Sequence, residues 1–515
     1  MKTLLYPLTT FIFLLSVSCS GKQQKDTIPT VVSNNFSYQN EEVDFKGTDN
    51  LIFLPENRLA ENSRRIGVQY FRLKAKTDKG LPPVLYLPGG PPGSFFIDMF
   101  SGKYGGKHGT YFGKQVSILN KDRDVLVINQ RGNHAIPGAP IPDFTYTYNV
   151  GDPKQISNPE QWKKNLKTGF LSYSKYFEEI GVDLRGYDFS HLVDDIEAIR
   201  TYHGYHKVSF MVGSFGAQWA LGYISRYPEK VDRALVYDIE PLSHSYDDPK
   251  DVWEVFKNIE KEAEKSEKLK GKLPKIGLLN AVKVIVERLE KEPVYIKIDS
   301  DSILIGADDF KRNLRYPYGP TEAWPKYITE LYNGDYRLLA LWAKERRGGN
   351  ATVGMLNSLI DVSLGISEER HKLISSREEL KWMRPTTLSY DALKDVIHTP
   401  DVGDKMRQIK SNTIPMVILQ ANMDVNTPLK NATYVVPYFK NSHIITLKNV
   451  AHQGRVHLWE EHPESLESIM TLFSADFDKI PFSEFKKTLK SEYTMKKFDF
   501  IDIEGKSLYE IRTGK

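Results

Sequence analysis

Three residues of this 515-residue chain, Ser214, Asp424 and His452, are of types that together could carry out covalent catalysis, and they occur in that order. A serine hydroxyl is a weak nucleophile until a base takes its proton and the backbone exposes its oxygen. In Val212-Gly213-Ser214-Phe215-Gly216 small residues flank Ser214 between an apolar run and a stretch of helical character. That is the form of a nucleophile elbow, a strained bend from strand to helix, with Val212 standing where the G-x-S-x-G pattern has its first glycine. His452 is placed to take the Ser214 proton, and Asp424 to fix its tautomer and stabilise the imidazolium. The competing readings are a small-residue turn at Ser214, an Asx-turn at Asp424 and a surface loop histidine at His452. An oxyanion formed on an attacked carbonyl needs preorganised N–H donors, which the Gly90 and Phe215 backbones can supply. Gly90 lies in Pro88-Gly89-Gly90-Pro91-Pro92-Gly93; no G-K-S/T follows and the prolines remove donors, which argues against a phosphate loop.

The elements that must position these residues are legible as apolar runs. Residues 83–87 and 124–129 are short continuous apolar runs, as strands buried on both faces of a parallel sheet are; 208–212, 234–237, 415–419 and 443–447 read as further apolar-rich strands, and 66–74 partly alternates. Ser214, Asp424 and His452 each come just after one of these runs. Leu192, Ile196, Ile199 and Tyr202 recur at helical spacing just before the strand that ends at Ser214. Strand and helix alternate up to about residue 240, the pattern of a parallel α/β sheet. From about 240 to 400 long charged amphipathic helices replace it, as in 252–269 and 278–291, and this stretch reads as a helical cap or as a separate helical domain. No H-E-x-x-H or comparable histidine cluster offers a metal site.

Composition is that of a folded chain, with 40% hydrophobic and 26% charged residues, and the net charge of +4 is too small to attract nucleic acid. Lys2 precedes an apolar stretch from Leu4 to Val17 that ends in Ser18-Cys19, with a hydrophilic segment after it, the form of a secretory signal cleaved before Cys19. It resembles a bacterial lipoprotein signal, which implies lipidation of Cys19 and a membrane-anchored place in a bacterial cell envelope. Cys19 is the only cysteine, so no internal disulfide is possible.

Taken together, Leu54-Pro55-Glu56-Asn57-Arg58, Pro88-Gly89-Gly90-Pro91, Asn129-Gln130-Arg131-Gly132, the Ser214 elbow, Asp424 with Thr427-Pro428, and Ala451-His452 resemble the serine-peptidase family of prolyl iminopeptidases and tripeptidyl aminopeptidases. The resemblance implies an α/β-hydrolase fold, a mostly parallel central sheet with an inserted helical cap, no cofactor, and release of residues from peptide N-termini. Pro92, Asn129 and His134 depart from the family pattern. Arg131 reads as a structural ion-pair residue. An aminopeptidase must also hold a free ammonium with acidic groups, for which Glu240 is the first candidate and Asp238 the second. The expected divisions are a signal at 1–18, a flexible tether at 19–40, the hydrolase core at 41–240 and 401–485, the cap at 241–400 and a tail at 486–515, a surface strand or hairpin. A carboxylesterase with the same triad, acting on small esters, is the alternative, and a catalytically inactive binding lipoprotein comes third.

Overall fold

The computed structural model describes residues 29–39, 44–90, 107–132, 144–315 and 321–514. The expected signal, Cys19, Pro92 and His134 lie outside the described residues. Ten strands form one sheet, in the spatial order β1 (Val31–Gln39), β2 (Asp44–Pro55), β3 (Arg65–Leu73), β5 (Val125–Ile128), β4 (Val84–Tyr86), β7 (Val208–Ser214), β8 (Val231–Ile239), β12 (Met416–Ala421), β13 (Ser442–Lys448) and β14 (Glu492–Thr494). β3 is antiparallel to both of its neighbours, and every pairing from β5 to β14 is parallel. From β2 to β13 this is the strand arrangement of the α/β-hydrolase fold.

The continuous apolar runs result from burial on two faces. Phe210 and Val212 of β7 enter a core shared with helices α3 (Phe189–Tyr202) and α4 (Phe215–Arg226), while Met211 between them enters the opposite core with α1 (Lys107–Leu119). Strand residues pointing alternately into two apolar layers leave no polar face to alternate with. In the chain, β5 is followed by β6 (Thr145–Gly151) and α2 (Pro159–Glu179), which lie on the face of α3 and α4.

The stretch 241–400 carries more than helices. It contains an antiparallel pair, β9 (Val294–Ile298) with β10 (Asp301–Ile305), and β11 (Gly349–Gly354), which pairs with β6. Helices α5 (Pro249–Lys265), α6 (Leu278–Lys291), α7 (Trp324–Tyr332) and α8 (Arg337–Arg347) bury an apolar core of their own. By contrast α9 (Met355–Leu364) packs Leu356, Leu359 and Ile360 into the main-sheet core. The expected tether is also shorter than 19–40. Residues 31–39 form β1, whose Phe36 meets Phe71 of β3 edge to face across the sheet.

The last segment is a strap rather than an isolated hairpin. After β14 pairs with β13, the chain leaves the sheet and runs along the α5–α8 unit, where Phe500 and Leu508 complete its core. The Lys326 ammonium, buried on α7, donates to the backbone carbonyls of Asp502 and Ile503, both at 2.8 Å, and lies 3.6 Å from Glu330. A buried ammonium is tolerable only with such partners, so the strap is held by charge as well as apolar contact. Among the described residues no helix is long and apolar enough to cross a membrane.

Candidate active site

Ser214 stands between β7 and α4 with φ 54° and ψ −131°, a conformation rarely open to a residue with a side chain. Such strain persists only where its surroundings over-determine it, and they do so here through glycine. A Cβ on Gly216 would come within 2.1 Å of the Leu87 carbonyl oxygen, so only glycine lets α4 start this close to the end of β4. Val212, in the place of the motif's first glycine, is a fully buried strand residue and does not hinder the bend.

The acid and base occupy loops after β12 and β13. Asp424, fully buried, accepts hydrogen bonds at Oδ1 from the backbone N–H groups of Asn426 (2.8 Å) and Thr427 (3.0 Å). Its Oδ2 accepts from Thr427 Oγ1 at 2.5 Å and lies 2.7 Å from His452 Nδ1. With Nδ1 so engaged, Nε2 of the neutral ring is left as the proton acceptor. Burial by itself depresses the imidazole, but the carboxylates of Asp424 and Asp238 outweigh it and hold its pKa at about 9. Among the described residues the Ser214 hydroxyl has no hydrogen-bond partner, so the Ser214–His452 contact is open in this structure. Loose contacts of this kind are common before substrate is bound.

The expected oxyanion donors lie beside the serine. Phe215 is the first residue of α4, so its N–H is one of those a helix leaves without an internal partner, at the positive end of the helix dipole. Gly90 has φ 66° and lines the Ser214 cavity, and its carbonyl accepts from Gln130 Nε2 at 3.2 Å, which secures the loop. The other residues of the recurrent motifs are structural. Arg131 is fully buried, makes a bidentate pair with Asp195 (2.8 and 2.7 Å) and donates to the carbonyls of Glu56 and Gly186. Glu56 binds Arg64 and the Tyr187 hydroxyl, and Asn129 donates to Gln69 Oε1 at 2.8 Å.

A cavity of about 490 Å³ opens on Ser214, lined also by Gly90, Glu240, Asp247, Arg315 and Asp361. Asp247 is paired with Arg315 at 2.6 Å. Among the described residues, the carboxyl groups of Glu240 and Asp361 have no hydrogen-bond or ion-pair partner. Burial, then the neighbouring charges of Asp247 and Asp361, raises Glu240 well above the usual carboxylate range; Asp361, whose side chain is exposed, is raised to about 7 by the surrounding protein mass alone. The two cannot both ionise cheaply while the cavity is empty. Glu240, the first of the two acids singled out from sequence, lines the same cavity as Ser214. Asp238, the second candidate, is not on this cavity and faces His452 instead.

Asp361, Asp247 and Arg315 are not singled out by any motif. For Asp361 a signal exists, since it is the only charged residue in the helix Met355–Leu364. A second cavity, of about 280 Å³, lies on the His452 side and is lined by Phe256, Ile259 and Trp324 of the α5–α8 unit with Val425 and Ala451.

No protein-family model matches the chain, and no curated protein matches its sequence. Solved structures similar to it include a serine hydrolase from the polyaromatic-hydrocarbon-degrading bacterium Cycloclasticus zankles, at 11% identity and TM-score 0.33, covering 87% of this chain and 100% of that one. An epoxide hydrolase from Bacillus megaterium matches at 15% identity and TM-score 0.31, covering 79% of this chain and 97% of that one. An esterase from Exiguobacterium antarcticum matches at 10% identity and TM-score 0.32, with the same two coverages, 79% and 97%.

Proposed function

We propose that the chain is a serine hydrolase that cleaves acyl bonds close to a free ammonium group, with peptide N-termini as its substrates. The observation that carries this reading is the pair of unpartnered carboxyl groups, Glu240 and Asp361, in the cavity that also holds Ser214. An ammonium group offers three N–H donors and is costly to bury alone, and the two acids gain from the same cation. A plain acyl ester offers Glu240 and Asp361 no cation, and a carboxylesterase with the same triad is the second reading.

In this mechanism Ser214 Oγ attacks the carbonyl as His452 takes its proton, and the tetrahedral oxyanion rests on the N–H groups of Gly90 and Phe215. The imidazolium, stabilised by Asp424, gives the proton to the leaving amine, whose side chain is directed to the second cavity, beside Phe256 and Trp324. Water, activated by His452, then releases the acyl group from Ser214. The test is hydrolysis of aminoacyl, prolyl and tripeptidyl chromogenic amides, free and N-acetylated, beside simple acyl esters. Cleavage of the free amides alone, abolished by Ser214→Ala, supports an aminopeptidase; cleavage of simple esters alone overturns it. The leader that ends before Cys19 supports lipid attachment there, which would hold the reaction at a bacterial envelope membrane. Labelled palmitate incorporated by the parent and by Cys19→Ala alike would refute that.

A further inference from the structure

The strand that leads to Glu240 carries another buried carboxylate, and that one is aimed at the base. In the pairing of β7 with β8, Gly213 lies opposite Tyr237 and Ser214 opposite Ile239, so Asp238 is an extra residue, a β-bulge level with the nucleophile. Its φ of 47° is left-handed, a conformation that a residue with a side chain adopts only when held there. The holder is Gln420 of β12, itself fully buried. Its Oε1 accepts from the Ile239 N–H at 2.8 Å, and its Nε2 donates to the Thr427 carbonyl at 2.5 Å. One amide therefore ties the bulge to the loop of Asp424.

Bulges beside active sites re-aim side chains, and this one turns Asp238 towards the histidine loop. Asp238 Oδ2 lies 3.9 Å from His452 Nδ1 and accepts from the Gln453 N–H at 2.9 Å. Gln453 is itself left-handed, with φ 65°. The charged groups that face the imidazole are Asp424 from the loop after β12, Asp238 from β8, and Arg455 from the helix Arg455–Glu461, whose Nη1 is 3.9 Å from Asp238 Oδ2.

We propose that Asp238 is a second acid for His452, a positioning residue that shares with Asp424 the stabilisation of the imidazolium formed during proton transfer. The inference rests on the hydrolase reading for its catalytic meaning, though not for its geometry. Burial raises Asp238 to about 6, with the Asp424 charge adding to the rise and His452 and Arg455 opposing it, so the carboxyl is largely ionised at neutral pH. A carboxylate at this distance commonly moves an imidazole pKa by about one to three units. A purely structural Asp238 would serve only as the acceptor for the Gln453 N–H.

Asp238→Asn separates the two roles, since the amide oxygen can still accept from Gln453 while the charge is gone. The measurement is the NMR titration of His452 in the histidine-labelled full chain, assigned by the signal missing from His452→Gln. The expected result is a midpoint lowered by about one to three pH units, with the acid limb of the kcat/KM profile moving by the same amount. Asp238→Gly suits the left-handed backbone and serves if the asparagine variant fails to fold. In an Asp424→Asn background, losing Asp238 as well should cost at least a further factor of about ten in kcat. A His452 midpoint unmoved in a folded variant would overturn the inference. Because the titration needs no turnover, it stands even if no peptide is cleaved, which separates this inference from the aminopeptidase reading.

Discussion

Replacing Asp361 with Asn should weaken the capture of amine-bearing substrates without disturbing the serine, and the size of the effect can be worked out beforehand. A hydrogen bond to a charged group contributes about 1.5–3 kcal/mol, which corresponds to a loss of roughly 10-fold to 150-fold in kcat/KM. Two features of the cavity place the loss near the lower end. Asp361, at about 7, is only half ionised at neutral pH, so part of its attraction is spent in releasing its own proton. Its charge also helps to hold Glu240 protonated, so removing it lets Glu240 ionise and take over part of the cation. We therefore expect a loss of about ten-fold at pH 7, and a larger combined loss in Glu240→Gln/Asp361→Asn than the product of the two single losses, because neither acid can then stand in for the other. KM for the free amine should fall in the parent as pH rises through about 7, and this dependence should weaken in the variant. The assay is kcat/KM on a free aminoacyl nitroanilide beside its N-acetyl derivative from pH 5.5 to 8.5. Equal losses on both substrates, or none on the free amine, would refute the assignment of this cavity to an ammonium group.

Other expectations concern stability and geometry. Both acids bind protons more tightly folded than unfolded, so their contribution to stability declines as pH rises from the ordinary carboxylate range through about 7. Glu240→Gln, at the less exposed of the two, should accordingly unfold at higher urea than the parent at pH 8 and at the same urea below pH 4. Ser214→Gly should abolish turnover and raise stability by about 1 kcal/mol in urea melts, because glycine relieves the left-handed strain. Gly216→Ala must displace α4 from the Leu87 carbonyl, which should cost about 1–3 kcal/mol in the same melts and at least about 100-fold in kcat. Deleting residues 496–515 removes Phe500 and Leu508 from the α5–α8 core, and limited proteolysis should then cut within 249–315 or 321–347 while residues 144–240 stay protected.

The parts of the fold and site that can be read from sequence share a physical cause. Strands sandwiched between two apolar layers must be apolar throughout, so β4, β5, β7, β8, β12 and β13 are visible as runs, and because these strands are parallel the loops leaving them gather at one edge of the sheet. That is why Ser214, Asp424 and His452 can be named without coordinates. Asp238 cannot be assigned its neighbour in this way, because the bulge that turns it depends on Gln420, a residue on a strand met far later in the chain. Asp361 comes to the cavity through the packing of α9 on the main core, a tertiary event with no local motif. The strand at 31–39 reads as tether because its composition is polar, and only pairing with β2 gives those residues order.

The strap bears on how the molecule is made. Phe500 and Leu508, which finish the α5–α8 core, are synthesised after every strand of the main sheet, so a growing chain can assemble Ser214, Asp424 and His452 while that unit still lacks part of its interior. Long-range contacts of this kind form late and slowly. The sheet and its chemistry would then mature first, and the walls over the second cavity would set only once Lys326 had gathered the carbonyls of Asp502 and Ile503. A nascent or trimmed chain would thus be a different reagent from the finished one: the same triad, working under a roof that has not yet been fastened.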